Sequence, residues 1–180
     1  MLGKLSAAWA RMELVAAAVL AVAVTGLILL NVVTRSLGAA LFWTDELAIY
    51  AMVWMTFLGA SAAVHHGSAV AVTILTDALP PALQKVSARL VDLIVLVFAL
   101  LMVWFCWLWF APHMLLRAGF DTEVFQGETF NFIYSEQTTT LGIRKVWVWI
   151  VVWLFSAGMT LHGVANLFRP AIRPNMGEIE

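Results

Sequence analysis

Few of the 180 residues carry groups able to do chemistry: one cysteine, Cys106; four histidines, His65, His66, His113 and His162; and the adjacent acids Asp45 and Glu46 at the head of an apolar run. Histidines raise the possibility of haem, whose bis-histidine ligation needs facing rings on neighbouring helices at one depth. His65 and His66 are consecutive and point about 100° apart on a helix. His113 falls at the opposite end of the helices, so His65 with His162 is the one plausible pair. Cys106 sits in an apolar run with no partner cysteine, which excludes an intrachain disulfide or a thiol redox pair and leaves a small hydrophobe. No nucleophile elbow, phosphate loop or zinc-spaced cluster is present, so the chain is not expected to be an enzyme.

The elements that must position these groups follow from composition. The chain is 63% hydrophobic and 12% charged, with mean hydropathy +0.93, values that mark a membrane protein. A net charge of -1 with scattered Lys and Arg excludes a nucleic-acid surface. Four stretches lacking Asp, Glu, Lys and Arg are long enough to cross a hydrocarbon core of roughly 30 Å, which takes about 20 helical residues. Backbone polar groups in lipid must be satisfied within the segment, and these runs have helical rather than strand lengths. The expected fold class is all-α: an integral membrane four-helix bundle with short interfacial helices, one domain over 1–180 with spans near 14–34, 46–66, 92–115 and 146–168.

The first run is about twice a signal-peptide core and follows Glu13, so it reads as a retained span. Before it, Leu2, Leu5, Trp9 and Met12 recur at helical spacing with Lys4 and Arg11 on another face, a short amphipathic segment suited to the bilayer surface. Arg35 to Thr44 is a tight connection. His65 to Asp92 carries the break Leu79-Pro80-Pro81, with short interfacial helices expected on either side of it. The polar outer loop, 116–145, is too rich in Gly, Thr and Asn for one continuous helix. Placing both termini in the cytoplasm puts Lys4, Arg11, Lys85, Arg89, Arg169 and Arg173 inside against Arg35, Arg117, Arg144 and Lys145 outside, a small excess in the direction the positive-inside rule favours.

Transporters normally carry ionisable groups at mid-membrane. None of the four expected spans has an interior carboxylate, Lys or Arg; their polar residues, such as Thr25, Thr56, Ser61, Ser156 and Thr160, can bond back to their own helices. The chain alone therefore reads as a poor conduit, which weakens the idea of a small exporter acting as a homodimer. A haem-binding electron-transfer anchor is the alternative of a different class, resting on His65 and His162.

The ordered set Trp43-Thr44-Asp45-Glu46-Leu47, Trp54, Phe57-Leu58-Gly59-Ala60 and His66-Gly67 resembles the small membrane subunit of TRAP (tripartite ATP-independent periplasmic) transporters. Asn31 with Arg35 is similar to that family's Asn-x-x-x-Arg, and Leu79-Pro80 and Thr140-Leu141-Gly142-Ile143 also fit, so the resemblance spans essentially the whole chain. It departs where the family often has His and then Asp after the glycine: Ala69 and Thr73 stand here, and the third connection is longer than in the shortest members. The resemblance implies a noncatalytic four-helix subunit of a sodium-coupled solute uptake system in a bacterial-type inner membrane. Its implied partners are membrane lipid, a large membrane subunit that carries substrate and sodium, and a periplasmic substrate-binding protein that the outer loop could contact. No cofactor is expected in this chain.

Asp45 and Glu46 suit the first turn of a helix, where acids offset the positive end of its dipole by about 0.3–1 kcal/mol each. Arg35, about ten residues earlier on the same membrane side, could also bridge one of the two carboxylates, in which case Arg35→Ala and Glu46→Ala should lower assembly. From Glu46, the residues Tyr50, Trp54, Phe57 and Ser61 line one helix face, and Gly59, Ala60 and Ala63 form a neighbouring small-residue stripe. That face either docks on a partner subunit or packs inside the bundle. The interface candidates are thus Asn31, Arg35, Trp43, Asp45, Glu46, Tyr50, Trp54, Gly59, Ala60 and Gly67.

Overall fold

The computed structural model describes residues 1–66 and 80–168. Gly67 and the segment before Pro80, where one of the interfacial helices is expected, lie outside the described residues. The helices are α1 (Leu2–Ser36), α2 (Phe42–His66), α3 (Pro81–Phe110), α4 (Pro112–Arg117), α5 (Thr122–Thr129) and α6 (Val146–Leu167). Four of them, α1, α2, α3 with α4 appended, and α6, are long and apolar enough to cross a membrane. Among the described residues there is no strand, only an isolated antiparallel bridge between Gln137 and Arg144.

Alternating direction places the start of α1 and the ends of α2 and α6 at one end of the bundle, here the terminal face. The α1–α2 connection and the long loop lie at the other, the loop face. The axis of the bundle is α6: 56% of its most apolar stretch is buried, against 11% in α1, 22% in α2 and 17% in α3. Its Val151 and Val152 pack with Ala17, Leu58 and Cys106, and its Phe155 and Met159 pack with Ala99 of α3. At Gly163 a Cβ would press on Leu96, so the missing side chain lets α3 approach α6 closely there. The other three helices keep broad apolar faces exposed, such as Val15, Val19 and Val22 on α1 and Leu101, Trp104 and Phe105 on α3. Surface of this kind fits a bilayer or another membrane chain and not water.

The helices extend beyond the hydropathic spans. The amphipathic start of the chain is not a separate surface helix but the first turns of α1, a 35-residue helix roughly 52 Å long at 1.5 Å per residue. Nothing between Met12 and Leu14 breaks a helix, and Ser6 and Glu13 face inward, where they find partners. Likewise α3 begins at Pro81, because proline in a first turn gives up only an N–H that has no helical acceptor anyway. The helix expected after Leu79-Pro80-Pro81 is therefore the start of α3 itself. It ends at Ala111, in the left-handed conformation (φ 40°), with Pro112 opening α4.

The long loop folds as a small lid. Asp121 caps α5 by accepting from the N–H groups of Glu123 (2.8 Å) and Val124 (3.2 Å). Phe125 is buried with Phe110, Ala111 and Ile133, and the Tyr134 hydroxyl donates to the Phe110 carbonyl at 2.8 Å. A tight turn follows, closed by the Gln137–Arg144 bridge and the Glu136–Lys145 ion pair, with Gly142 at φ 67°.

Candidate functional site

Two polar clusters, one at each end of the bundle, hold the side chains with chemical capacity. At the loop face, Arg35 in the last turn of α1 donates from Nη2 to Asp45 Oδ2 at 2.5 Å and from Nε to Asn31 Oδ1 at 2.9 Å. Asn31 Nδ2 in turn donates to Asp45 Oδ1, closing a ring of three side chains across the α1–α2 turn. The bridge expected from sequence therefore forms with Asp45 and not with Glu46. One residue along a helix rotates the side chain by about 100°, which turns Glu46 away from α1 and toward the loop.

Glu46 instead receives five donors. Oε1 accepts from the Thr139 N–H (2.8 Å) and the Tyr50 hydroxyl (3.0 Å). Oε2 accepts from the Thr140 N–H (2.6 Å), the Thr140 hydroxyl (2.5 Å) and the Leu141 N–H (3.1 Å). The turn 138–143 wraps its backbone donors around one carboxylate, so a single acid pins the lid to α2. An open cavity of about 380 Å³ beside it is lined by Phe42, Asp45, Glu46, Ile49, Tyr50, Thr139 and Thr140.

The remaining candidates separate into two faces. Trp54 points inward and its indole donates to the Val148 carbonyl at 2.8 Å; Phe57 meets the Phe155 ring edge-on at 5.1 Å; Ser61 is fully buried. These three pack within the bundle. Trp43 is exposed near the loop face, Ala60 is exposed, and an added Cβ at Gly59 would meet nothing within 4 Å. Among the described residues, the Gly59 and Ala60 part of the small-residue stripe is thus left open. Gly67 lies outside the described residues.

The second cluster, at the terminal face, includes a buried carboxylate, Glu13, one residue ahead of the first expected span. Glu13 of α1 is 4% exposed and His162 of α6 is 0% exposed; His162 Nε2 lies 3.0 Å from Glu13 Oε2. Glu13 Oε1 accepts from the Trp9 indole at 2.9 Å. Ser6 Oγ, also fully buried, sits 2.8 Å from His162 Nδ1 and 2.6 Å from His65 Nδ1, so it joins α1, α6 and α2 at one atom. Gly158 makes room for this: a Cβ there would overlap Glu13 Oε1, Ser61 Oγ and Trp9 Nε1. On α3, Arg89 donates to the Leu167 carbonyl (2.7 Å) and the Asn166 carbonyl (3.2 Å), setting a cation at the negative end of α6. Asn166 donates to the Val64 carbonyl of α2 at 2.9 Å.

This arrangement does not suit bis-histidine haem. The His65 and His162 rings touch edge-on, 5.2 Å between centroids, and share Ser6, while the second nitrogen of His162 is directed at Glu13. Among the described residues, no group of three His, Cys, Asp or Glu side chains is placed to hold a metal ion. Between the two clusters, the hydroxyls of Ser156, Thr56 and Thr160 bond back one turn within their own helices, and Ser156 also lies 3.5 Å from Cys106 of α3.

The described residues thus form a bundle of four helices long and apolar enough to cross a membrane, with a polar cluster at each end. Residues 24–173 match the sequence family described as "Tripartite ATP-independent periplasmic transporters, DctQ component", and the chain belongs to that family. A TRAP transporter small permease protein of Haemophilus influenzae is 32% identical over 89 residues, 49% of this chain and 55% of that protein. The isethionate TRAP transporter permease protein DctMQ of Oleidesulfovibrio alaskensis is 33% identical over 67 residues, 37% of this chain and 11% of that protein. The matches thus span about half the length of the first relative and about a tenth of the second. Ser6, Trp9 and Glu13 lie before the family match.

Alanine at Arg35 and Asp45, singly and together, should give a coupling of up to about 1 kcal/mol in detergent unfolding, since both partners are partly exposed. The same cycle on Arg35 and Glu46 should be additive.

Proposed function

We propose that this chain is the small, noncatalytic membrane subunit of a sodium-coupled TRAP solute uptake transporter, in a bacterial-type inner membrane with both termini cytoplasmic. It stabilises and positions a large transport subunit that carries substrate and sodium. The observation that carries this reading is the separation of charged side chains into two end clusters, with the hydroxyls of Thr56, Ser156 and Thr160 between them bonded back to their own helices. The described helices offer no continuous polar path through their middle, which supports leaving translocation to a partner. The name of the DctMQ relative, which joins two component letters in one permease, supports a partner of that kind.

The outward stripe of α2, with Ile49, Met52, Thr56 and Ala60 at helical spacing, is the face assigned to that partner, and Gly59 beside it permits close helix approach. The lid over 116–145, on the opposite side from the termini, is assigned to contact with a periplasmic substrate-binding protein. A tagged chain purified from its native membrane should bring a larger multi-span protein with it, and a cysteine at Ala60 should crosslink to that protein while one at Trp54 should not. Recovery of the chain alone, with substrate uptake in proteoliposomes that contain no other protein, would overturn the reading.

A further inference from the structure

The last turn of α3 reaches the loop face with carbonyl groups for which the helix itself has no donors. The lid supplies donors for two of them: Asn131 Nδ2 donates to the Trp109 carbonyl at 2.5 Å, and the Tyr134 hydroxyl donates to the Phe110 carbonyl at 2.8 Å. Solvent meets such carbonyls where water is plentiful; in water-poor surroundings the donors must come from the protein. Segment 130–134 therefore lies beside the final turn of α3 and shares its depth.

That depth is marked by tryptophan. Trp107 and Trp109 of α3 and Trp147 of α6 are exposed within a turn of the loop-face ends of their helices, the level at which indoles favour the headgroup region. The Trp109 ring also meets Trp149 of α6, 5.5 Å between centroids, which sets the two helix ends at one level. On either side of Asn131, Phe130 is 82% exposed and Phe132 is exposed as well. Phe130 holds φ 53°, a left-handed conformation that glycine adopts freely and an aromatic residue adopts at a cost. Neither ring belongs to the core of the lid, which is built on Phe125, Phe110, Ala111 and Ile133. The backbone around them suits a water-poor setting, because the N–H groups of Phe130, Asn131 and Ile133 donate to the Gln126 carbonyl, Thr129 Oγ1 and Asn131 Oδ1. The two rings thus stand at the head of a helix that goes on exposing apolar side chains toward the middle of the bundle, Leu108, Phe105 and Trp104 among them. On the lid, α5 instead exposes Glu123, whose charge belongs in water.

We propose that Phe130 and Phe132 insert into the headgroup–acyl boundary of the bilayer at the loop face, making this edge of the lid a lipid-binding surface and leaving Glu123 in water. The surface belongs to this chain and does not rest on the assignment of either partner.

Spin labels separate lipid, water and protein. In a Cys106→Ala background, which removes the native cysteine, nitroxides are attached to Phe130→Cys, Phe132→Cys and Glu123→Cys. The chain, with any membrane protein that copurifies, is placed in vesicles of phosphatidylethanolamine and phosphatidylglycerol. Lipid exposes a nitroxide to oxygen and shields it from an aqueous nickel chelate; water does the reverse; covering protein shields it from both. Labels at 130 and 132 should give the lipid pattern at a depth of about 5–10 Å, and the label at 123 the water pattern. An unchanged helical signal shows that each labelled chain is folded, and 4-fluorophenylalanine at 130 or 132 repeats the reading with a ring in place, through the effects of oxygen and nickel on its fluorine resonance. The water pattern at 130 or 132, or the doubly shielded pattern of a covering protein, would overturn the proposal.

Discussion

Replacing His162 by leucine should destabilise the bundle by about 1–3 kcal/mol or more, the cost of leaving a buried polar group without its hydrogen-bond partner. The imidazole is fully buried and, among the described residues, shares the Glu13 carboxyl group with the Trp9 indole alone, so its loss strands a polar group that is 4% exposed. It also takes one of the two rings from Ser6, and with it the atom that joins α1 to α6. The measurement is unfolding in detergent, followed by loss of helical signal. Glu13→Leu added to His162→Leu should recover most of the loss, because two apolar side chains of similar volume replace the pair and the desolvation penalty disappears. If the single variant unfolds like the parent, Glu13 is not held as the geometry shows.

How far the sequence led can be judged from these residues. The fold class was legible, because four long uncharged runs admit little else than membrane helices. Helix ends were not: hydropathy reports the part of a helix that lies in hydrocarbon, and Leu2–Glu13 and Pro81–Asp92 continue their helices through residues that hydropathy rejects. That error hid the terminal cluster. His65 and His162 could be paired by depth from sequence, but Glu13 was counted as lying ahead of its span, so its contact with His162 went unseen. The signal was present in Ser6, Ala10, Glu13 and Ala17, spaced by three or four residues, which puts a small and polar stripe on the inner face of α1.

At the loop face, the link between Arg35 and the acids at the head of α2 was legible from the shortness of the connection. Which acid it takes was not, since that depends on rotation about the helix axis. Nor could sequence show that Glu46 meets Thr139 to Leu141, more than ninety residues away. For Trp54, Phe57 and Ser61, helical spacing identified a face but not what covers it; that required the position of α6.

Glu46→Gln should release the lid. The substitution keeps size and shape but replaces one carboxylate oxygen by an NH₂ group, which can only donate. In either amide orientation that group faces N–H donors: Thr139 at the Oε1 position, or Thr140 and Leu141 at the Oε2 position. Charge-assisted bonds are lost at the same time. Limited proteolysis within 136–145 should rise by about tenfold or more, since cleavage follows the population of the opened turn, while the helical signal of the four spans stays unchanged. Asp45→Asn should leave that rate near the parent value, because Asp45 faces Arg35 and Asn31 and not the turn. The contrast between two neighbouring acids separates a lid fastening from a general effect of charge at the start of α2. If the lid carries contact with a soluble partner, Glu46→Gln should weaken that contact and Asp45→Asn should not; equal loss in both would place the contact on α2 itself.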